Sequence, residues 1–185
     1  ITRVEARHVR LSHVREIADG TQDCLVVRLH TDDGLTGLGE VTSCSYVARA
    51  VIEAPRSAPF RHGLAAVIEG MDPIRRDDVI AAMEEGTAWY GPEGVTRHAM
   101  SAIDMALWDL CGKAAGKPVR QLLDDDASAT VSCYASAYCP ETPELVASLA
   151  AAFLQQGYRA VKFGWGPFGR DPSLDVEIVA AARQA

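Results

Sequence analysis

The chain has 185 residues, of which 48% are hydrophobic and 23% are charged. This composition supplies enough apolar side chains for one sizeable domain, or for one domain and part of another, and it excludes wholesale disorder. The formal net charge is −7 and the basic residues are scattered, so we expect neither a nucleic-acid partner nor binding to an anionic membrane.

The cysteines and the N-terminal residues bear on the cellular compartment. The five cysteines are odd in number and contain no CxxC pair, which argues against a disulfide framework or a structural zinc site. The first residues lack the apolar core of a signal peptide, and no apolar run approaches the length of a membrane span. We therefore expect a cytoplasmic protein that makes no membrane contact.

The N-terminal part predicts strands and then helices. Three antiparallel strands are expected at Val4–Leu11, Cys24–Thr31 and Leu35–Val41, with a tight turn at Asp32-Asp33-Gly34. Four helices should follow, at Tyr46–Ala54, Phe60–Glu69, Ile74–Glu85 (closed by Gly86) and Thr96–Ala115 (closed by Gly116). This order indicates an α+β domain over residues 1–125.

The pattern after this domain alternates between strand and helix. Strands are predicted at Val131–Ala137 and Ala160–Trp165, and helices at Thr142–Gln156 and from Asp171 onward. The first of these helices should bury a face formed by Leu145, Leu149, Ala152 and Phe153. A β-α-β-α order implies parallel strands with right-handed crossovers. A complete (β/α)₈ barrel needs about 250 residues, so we expect an incomplete record of a larger protein or a truncated product.

Three segments carry a family resemblance. The hairpin has Gly37, Gly39 and Glu40 after its turn, and Gly157–Gly164 reads GYRAVKFG. The most specific segment runs from Ala99 to Asp124 and contains Ala99, Ser101, Ala102, Ile103, Asp104, Ala106, Leu107, Asp109, Leu110, Gly112, Lys113, Pro118, Val119, Leu122 and Leu123. Together they resemble the mandelate racemase/muconate lactonizing enzymes of the enolase superfamily. Asp124 departs from the glycine that usually closes the family's helical signature.

The resemblance implies both a fold and an activity. The fold is an α+β capping domain at 1–125, followed at 126–185 by the first β-α-β-α units of a TIM-like (β/α)₇β barrel that is incomplete in this chain. The implied activity is Mg²⁺-dependent abstraction of the proton α to a carboxylate, with acid-sugar (aldonate or aldarate) dehydration expected first and racemisation or cycloisomerisation as the alternative. The implied partner is a small-molecule carboxylate, and the implied assembly is a homo-oligomer.

A hypothesis of a different class is a non-catalytic, truncated fragment that acts as an assembly module. It is motivated by the position at which the sequence stops. The metal ligands of the family are expected on later barrel strands, so the resemblance places none within these 185 residues. Mg²⁺ is therefore implied by the family and is not indicated by a ligand pattern in the sequence.

Lys162 is the predicted catalytic residue. It alternates with Val161 and Phe163, so it should point into the barrel while they point to the helices. Its ammonium would then neutralise a substrate carboxylate. The alternative is a solvated lysine at a strand end. The family often has a second lysine where Gly164 stands, so the resemblance implies that a base is absent here and favours one-base dehydration over two-base racemisation.

Four further residues are predicted to contact the substrate. Gly164 leaves space for a bulky polyol, and Trp165 would wall the pocket or, alternatively, pack beneath its loop. Tyr138 ends the first barrel strand, near Ser136, and would donate a hydrogen bond or play a structural role. In the capping domain, Tyr46 is preferred for the loop Thr42–Arg49. The weaker candidates are His13, Arg15 and Arg49.

Overall fold

The computed structural model describes residues 1–14, 22–59 and 62–185. The described chain divides into two compact units. The N-terminal unit comprises the described residues up to 127, and the C-terminal unit comprises residues 128–185. Each unit has its own hydrophobic cluster, and each is considered separately below.

The N-terminal unit begins with a three-stranded antiparallel sheet in the order β1-β2-β3. The strands are β1 (Arg3–Arg10), β2 (Asp23–His30) and β3 (Thr36–Val41). The turn between β2 and β3 contains Gly34 at a φ of 86°, a left-handed conformation that glycine adopts without steric cost. The predicted meander is therefore confirmed, with strand ends that differ from the prediction by one residue.

Five helices follow the sheet: α1 (Ser45–Glu53), α2 (Leu64–Ile68), α3 (Arg76–Thr87), α4 (Val95–Ala115) and α5 (Val119–Leu123). Helix α4 agrees with the prediction and ends at Gly116, whose φ is 63°. The predicted helix Phe60–Glu69 is shorter in the structure, and its first residue lies outside the described residues. Helix α5 was not predicted, although Pro118 directly precedes it and proline is compatible with the start of a helix.

The core of this unit lies between the sheet and the helices. Leu25, Val27 and Leu29 of β2 are fully buried, as are Ile103 and Leu107 of α4. Along β3 the glycines alternate with larger residues, and a Cβ added at Gly37 or Gly39 would collide with the backbone of α4 at Ala106 or Ala102. The glycine spacing quoted for the family resemblance therefore permits direct contact between a strand and a helix.

Helix α3 differs from the predicted helix at both ends. Gly86 does not end the helix but lies within it, because α2 packs close to it and a Cβ there would lie 2.8 Å from Val67 Cγ2. The helix was predicted to begin at Ile74, but Ile74 precedes α3 and is 56% exposed. The buried face of α3 is formed by Val79 and Met83, as expected from their spacing.

The C-terminal unit consists of β4 (Ala135–Tyr138), α6 (Pro143–Gln155), β5 (Val161–Gly164) and α7 (Pro172–Gln184). Its two strands are parallel, as predicted. Thr142 caps α6 by accepting a hydrogen bond from the amide of Leu145, and Asp171 caps α7 in the same way. The strand predicted from Val131 begins only at Ala135, where pairing with β5 starts.

The buried face of α6 is displaced by one residue from the predicted one. Val146 and Ala150 are buried, whereas Leu145 is 56% exposed. Val146 packs with Cys139 and Ile178 in the cluster that joins β4, α6 and α7, so this contact determines which stripe of the helix is covered. Among the residues that the structure describes, no helix is both long enough and apolar enough to span a membrane.

Candidate active site

The two parallel strands carry their polar side chains on one face. Ser136 is paired with Lys162 in the register, and Tyr138 is paired with Gly164. Paired positions on neighbouring strands share a face, as do alternate positions along one strand. Phe163 packs into the helix-facing cluster with Cys139 and Ile178. Lys162 therefore lies on the opposite face, away from the helices, as the alternation in the sequence indicates.

The chain turns sharply directly after β5. Trp165 has a φ of 61°, a left-handed conformation that a bulky residue adopts rarely, and Gly166 follows with a φ of 64°. The Lys162 Nζ lies 5.0 Å from the centroid of the Trp165 ring, within cation–π range. Trp165 itself is half exposed. The turn thus brings an aromatic ring over the ammonium that was predicted to be catalytic.

The two glycines that flank Trp165 have different surroundings. A Cβ added at Gly164 would meet no described atom within 4 Å, so this position borders open space on the polar face. A Cβ added at Gly166 would lie 2.6 Å from the Cys139 carbonyl oxygen and 3.2 Å from Tyr138 Cε1. Gly166 therefore packs directly against the end of β4, which fixes the turn relative to both strands.

Lys162, Gly164, Trp165 and Tyr138 are thus brought together at the C-terminal end of the strand pair. Tyr138 is 43% exposed, and Ser136 on the same strand is also exposed. The C-terminal ends of parallel strands are where enzymes with (β/α) barrels place their active sites. Together with Ser136, the group offers an ammonium, a phenol, an aliphatic hydroxyl and an indole ring at one end of the strand pair.

Tyr46 belongs to the N-terminal unit and is described with it. It is 61% exposed and lies in the first turn of α1, so the predicted loop Thr42–Arg49 is wrong in its second half, because the helix begins at Ser45. The Tyr46 ring stacks on His8, with ring centroids 4.1 Å apart. Arg49, a weaker candidate, pairs with Glu53 one helical turn away. His13 is exposed, and Arg15 lies outside the described residues.

The pair formed by His8 and Asp23 was not predicted from the sequence. His8 Nε2 lies 2.8 Å from Asp23 Oδ2, and the His8 side chain is largely buried. This hydrogen bond is the main cause that holds the pKa of Asp23 below its ordinary value, and the charge of Arg10 adds to the effect. The available signal was the position of both residues beside the connection between two paired strands.

The lowered pKa of Asp23 predicts a dependence of stability on pH. A carboxylate with a depressed folded-state pKa stabilises the fold above its unfolded-state pKa, and this contribution is lost as the pH falls through the folded-state value. We expect Asp23→Asn to reduce the free energy of unfolding at pH 6 and to weaken its decline below about pH 4. Urea unfolding from pH 2 to 7 measures both effects, with Asp126→Asn on the exposed connector as control. A parallel pH curve for Asp23→Asn and the parent would contradict this prediction.

The two aspartates of α4, Asp104 and Asp109, both contact other elements. Asp104 forms an ion pair with Arg76, with a distance of 2.6 Å between Arg76 Nε and Asp104 Oδ1. Asp109 accepts a hydrogen bond from the Leu38 amide at 2.8 Å and pairs with Lys113 at 2.7 Å. Both carboxylates therefore connect α4 to other parts of the N-terminal unit.

A metal site requires several donor side chains that converge on one point. In the part of the chain that the structure describes, no group of three or more His, Cys, Asp or Glu residues is placed to hold a metal ion. Mg²⁺ prefers several oxygen ligands in octahedral geometry. The described residues therefore do not form the Mg²⁺ site that the resemblance implies.

Residues 2–124 match the model of the mandelate racemase/muconate lactonizing enzyme N-terminal domain. The chain belongs to this family. A curated relative, the D-galactonate dehydratase family member RspA of Pantoea ananatis, is 34% identical over 165 residues, which cover 88% of this chain and 37% of that protein.

Solved structures of the family agree with the fold. A crystal structure described as a predicted mandelate racemase from Rhodobacter sphaeroides superposes with a TM-score of 0.85 at 31% identity, over 99% of this chain and 47% of the other. A family member from Paracoccus denitrificans, crystallised with magnesium, gives a TM-score of 0.78 at 25% identity, over 99% of this chain and 48% of its own. The predicted capping domain followed by the first units of a TIM-like barrel is confirmed. The chain spans less than half the length of each of these three proteins.

Proposed function

We propose that the full-length protein removes the proton α to the carboxylate of an acid sugar and dehydrates it. The observation that carries this proposal is the position of Lys162, on the helix-free face of two parallel strands and beside the open space at Gly164. Membership of the family and the similarity to a D-galactonate dehydratase family member support it.

Lys162 has a defined task in this proposal. In the proposed reaction the proton leaves C2, hydroxide leaves C3 as water, and the enol that forms becomes the 2-keto-3-deoxy acid. Negative charge grows on the carboxylate as the proton leaves, and a fixed cation stabilises that charge more in the transition state than in the ground state. The Lys162 ammonium, held near the end of β5, supplies this cation.

Gly164 defines which face of the substrate is attacked. It stands where the family often has a second lysine, so this strand carries no second base. We propose that the proton is taken from the opposite face by a residue outside these strands, and that reaction with one base is favoured. Gly164 also carries no side chain of its own, which favours a substrate with a bulky hydroxylated carbon chain.

The other proposed substrate contacts follow from chemistry and exposure. The exposed phenol of Tyr138 would donate a hydrogen bond to a sugar hydroxyl, and the Trp165 ring would bound the pocket. Tyr46, on the N-terminal unit, would cover the substrate with an aromatic ring that carries a hydroxyl. We also propose a domain boundary near residue 125, a cytoplasmic location and a homo-oligomeric assembly.

Mg²⁺ is part of the proposal, supported by the Paracoccus denitrificans relative crystallised with magnesium. A divalent ion would neutralise the enolic oxygens of the intermediate. Because the described residues offer no metal site, we assign no ligand within this chain.

The second candidate is racemisation or cycloisomerisation, which the similarity to the Rhodobacter sphaeroides structure favours. Both reactions begin with the same proton abstraction, but only dehydration loses water. Two bases on opposite faces suit racemisation, and the absence of a lysine at Gly164 argues for dehydration.

The test is to incubate the full-length protein and Mg²⁺ with a panel of aldonates and aldarates in D₂O. We expect at least one member to yield a 2-keto-3-deoxy acid, detected with semicarbazide, and the yield to vanish when EDTA removes the metal. Exchange of the α-proton or inversion at C2 without a keto product would establish the isomerase alternative. If neither product nor exchange arises from any acid sugar, the proposal fails.

A further inference from the structure

The turn after β5 has an unusual backbone conformation at a bulky residue. Trp165 is one of two described non-glycine residues with a positive φ, and the other is Cys44 in the N-terminal unit. A residue with a Cβ is destabilised in this conformation unless its surroundings hold it there. The adjacent Gly166 lies so close to the end of β4 that an added Cβ would be 2.6 Å from the Cys139 carbonyl oxygen and 3.2 Å from Tyr138 Cε1. The left-handed backbone conformation of Trp165 thus determines where its indole side chain lies.

The indole lies where it contacts the proposed catalytic lysine. Lys162 lies three residues before Trp165, and its Nζ is 5.0 Å from the ring centroid. Both residues are exposed, so burial does not impose this contact. A free lysine side chain samples many rotamers, and ordering it has an entropic cost that must be offset by an interaction. The face of a tryptophan ring is the strongest aromatic partner for an ammonium ion.

We propose that Trp165 is a positioning residue for Lys162. Its ring holds the ammonium in place on the polar face of the strand pair before the substrate carboxylate arrives. The catalytic significance of this contact rests on the proposed function, but the contact itself does not depend on the reaction. An exposed cation–π contact favours the held rotamers by about two- to fivefold over the others. Removing the ring should therefore loosen the lysine without unfolding the unit.

The test uses NMR of the full-length protein after reductive methylation with ¹³C-formaldehyde, which keeps each lysine cationic. This chain contains three lysines: Lys113, Lys117 and Lys162. Lys113 pairs with Asp109 and Lys117 with Asp125, so both serve as ion-paired controls within one molecule. Each signal is assigned by its loss in the corresponding Lys→Arg variant.

We expect the Lys162 methyl signal to be shifted upfield by the ring current of Trp165, relative to the two control signals. In Trp165→Leu the upfield shift should disappear and the ¹³C relaxation should report greater mobility at Lys162 alone. Trp165→Phe, which keeps an aromatic ring at the same strained position, should retain much of both effects. Far-UV circular dichroism checks that each variant is folded.

A Lys162 signal that is unshifted in the parent overturns the proposal, as does a shift or mobility that Trp165→Leu leaves unchanged. If Trp165→Leu restricts the mobility of Lys162 as much as Trp165→Phe does, the proposal also fails, because side-chain bulk and not the aromatic ring would then hold the lysine. None of these measurements requires a substrate. Failure of the positioning role is therefore distinguishable from failure of the dehydratase assignment, which the product assay decides.

Discussion

Replacing Lys162 by methionine is expected to lower kcat/KM for acid-sugar dehydration by about 10³-fold, because the cation that stabilises the developing carboxylate charge is lost. Methionine keeps much of the length of the side chain but carries no charge. Most of the loss should appear in kcat, since the interaction strengthens as the proton leaves C2. Steady-state kinetics of the full-length protein on the substrate found in the panel measure the effect.

The matched control for this prediction is Lys117→Met. Lys117 is an exposed lysine whose Nζ lies 2.9 Å from Asp125 Oδ1, and an ion pair of this kind contributes little to stability. This variant should retain the kinetics of the parent. Circular dichroism of both variants checks that each is folded, so that a lower rate reports on the reaction and not on unfolding. A Lys162→Met enzyme with more than about a tenth of the parental kcat/KM would show that the lysine is an ordinary surface residue.

Gly39→Ala is expected to cause the largest loss of stability, about 3 kcal/mol, through overpacking. The new methyl group would collide with the Ala102 carbonyl of α4, and because the obstacle is backbone, no rotamer change can relieve the contact. The strand and helix would have to separate along the contact that forms the core of the N-terminal unit. Urea denaturation followed by circular dichroism measures the change.

Gly34→Ala is the control, because it adds the same methyl group in the same hairpin. No atom lies within 4 Å of a Cβ at Gly34, but the φ of 86° imposes a conformational cost. We expect a loss of about 1 kcal/mol from that cost alone. If both variants lose the same amount, packing against α4 is not the reason for the glycine at position 39.

The fold was predicted where a local pattern determines the structure. The Asp32-Asp33-Gly34 turn set the β2–β3 hairpin, and Gly116 after an apolar stripe set the end of α4. Errors arose where a tertiary contact overrides a local signal. Gly86 reads as a stop, but it continues α3 because α2 needs the space that a side chain would fill. Similarly, Val146 is buried in place of Leu145 because α7 covers that stripe of α6.

The candidate site was predictable only where a local pattern determines it. The alternation of a strand places Lys162 opposite Phe163, and sequence alone gives that arrangement. The left-handed conformation of Trp165 could not be predicted, because tryptophan has no preference for it and the cause is a neighbouring glycine packed on another strand. The His8–Asp23 contact likewise depends on pairing between two strands.

The His8–Asp23 contact has a consequence for how this protein can diversify. It lies at the base of the connection between β1 and β2, beside the hydrogen bond from the Leu11 amide to the Gln22 carbonyl, which is 2.9 Å long. With the two ends fastened, the closure entropy of a longer connection costs only about 0.6 kcal/mol more for each doubling of its length. The register between β1 and β2 is thus set by the paired strands themselves, and it need not change when the number of residues that join them changes.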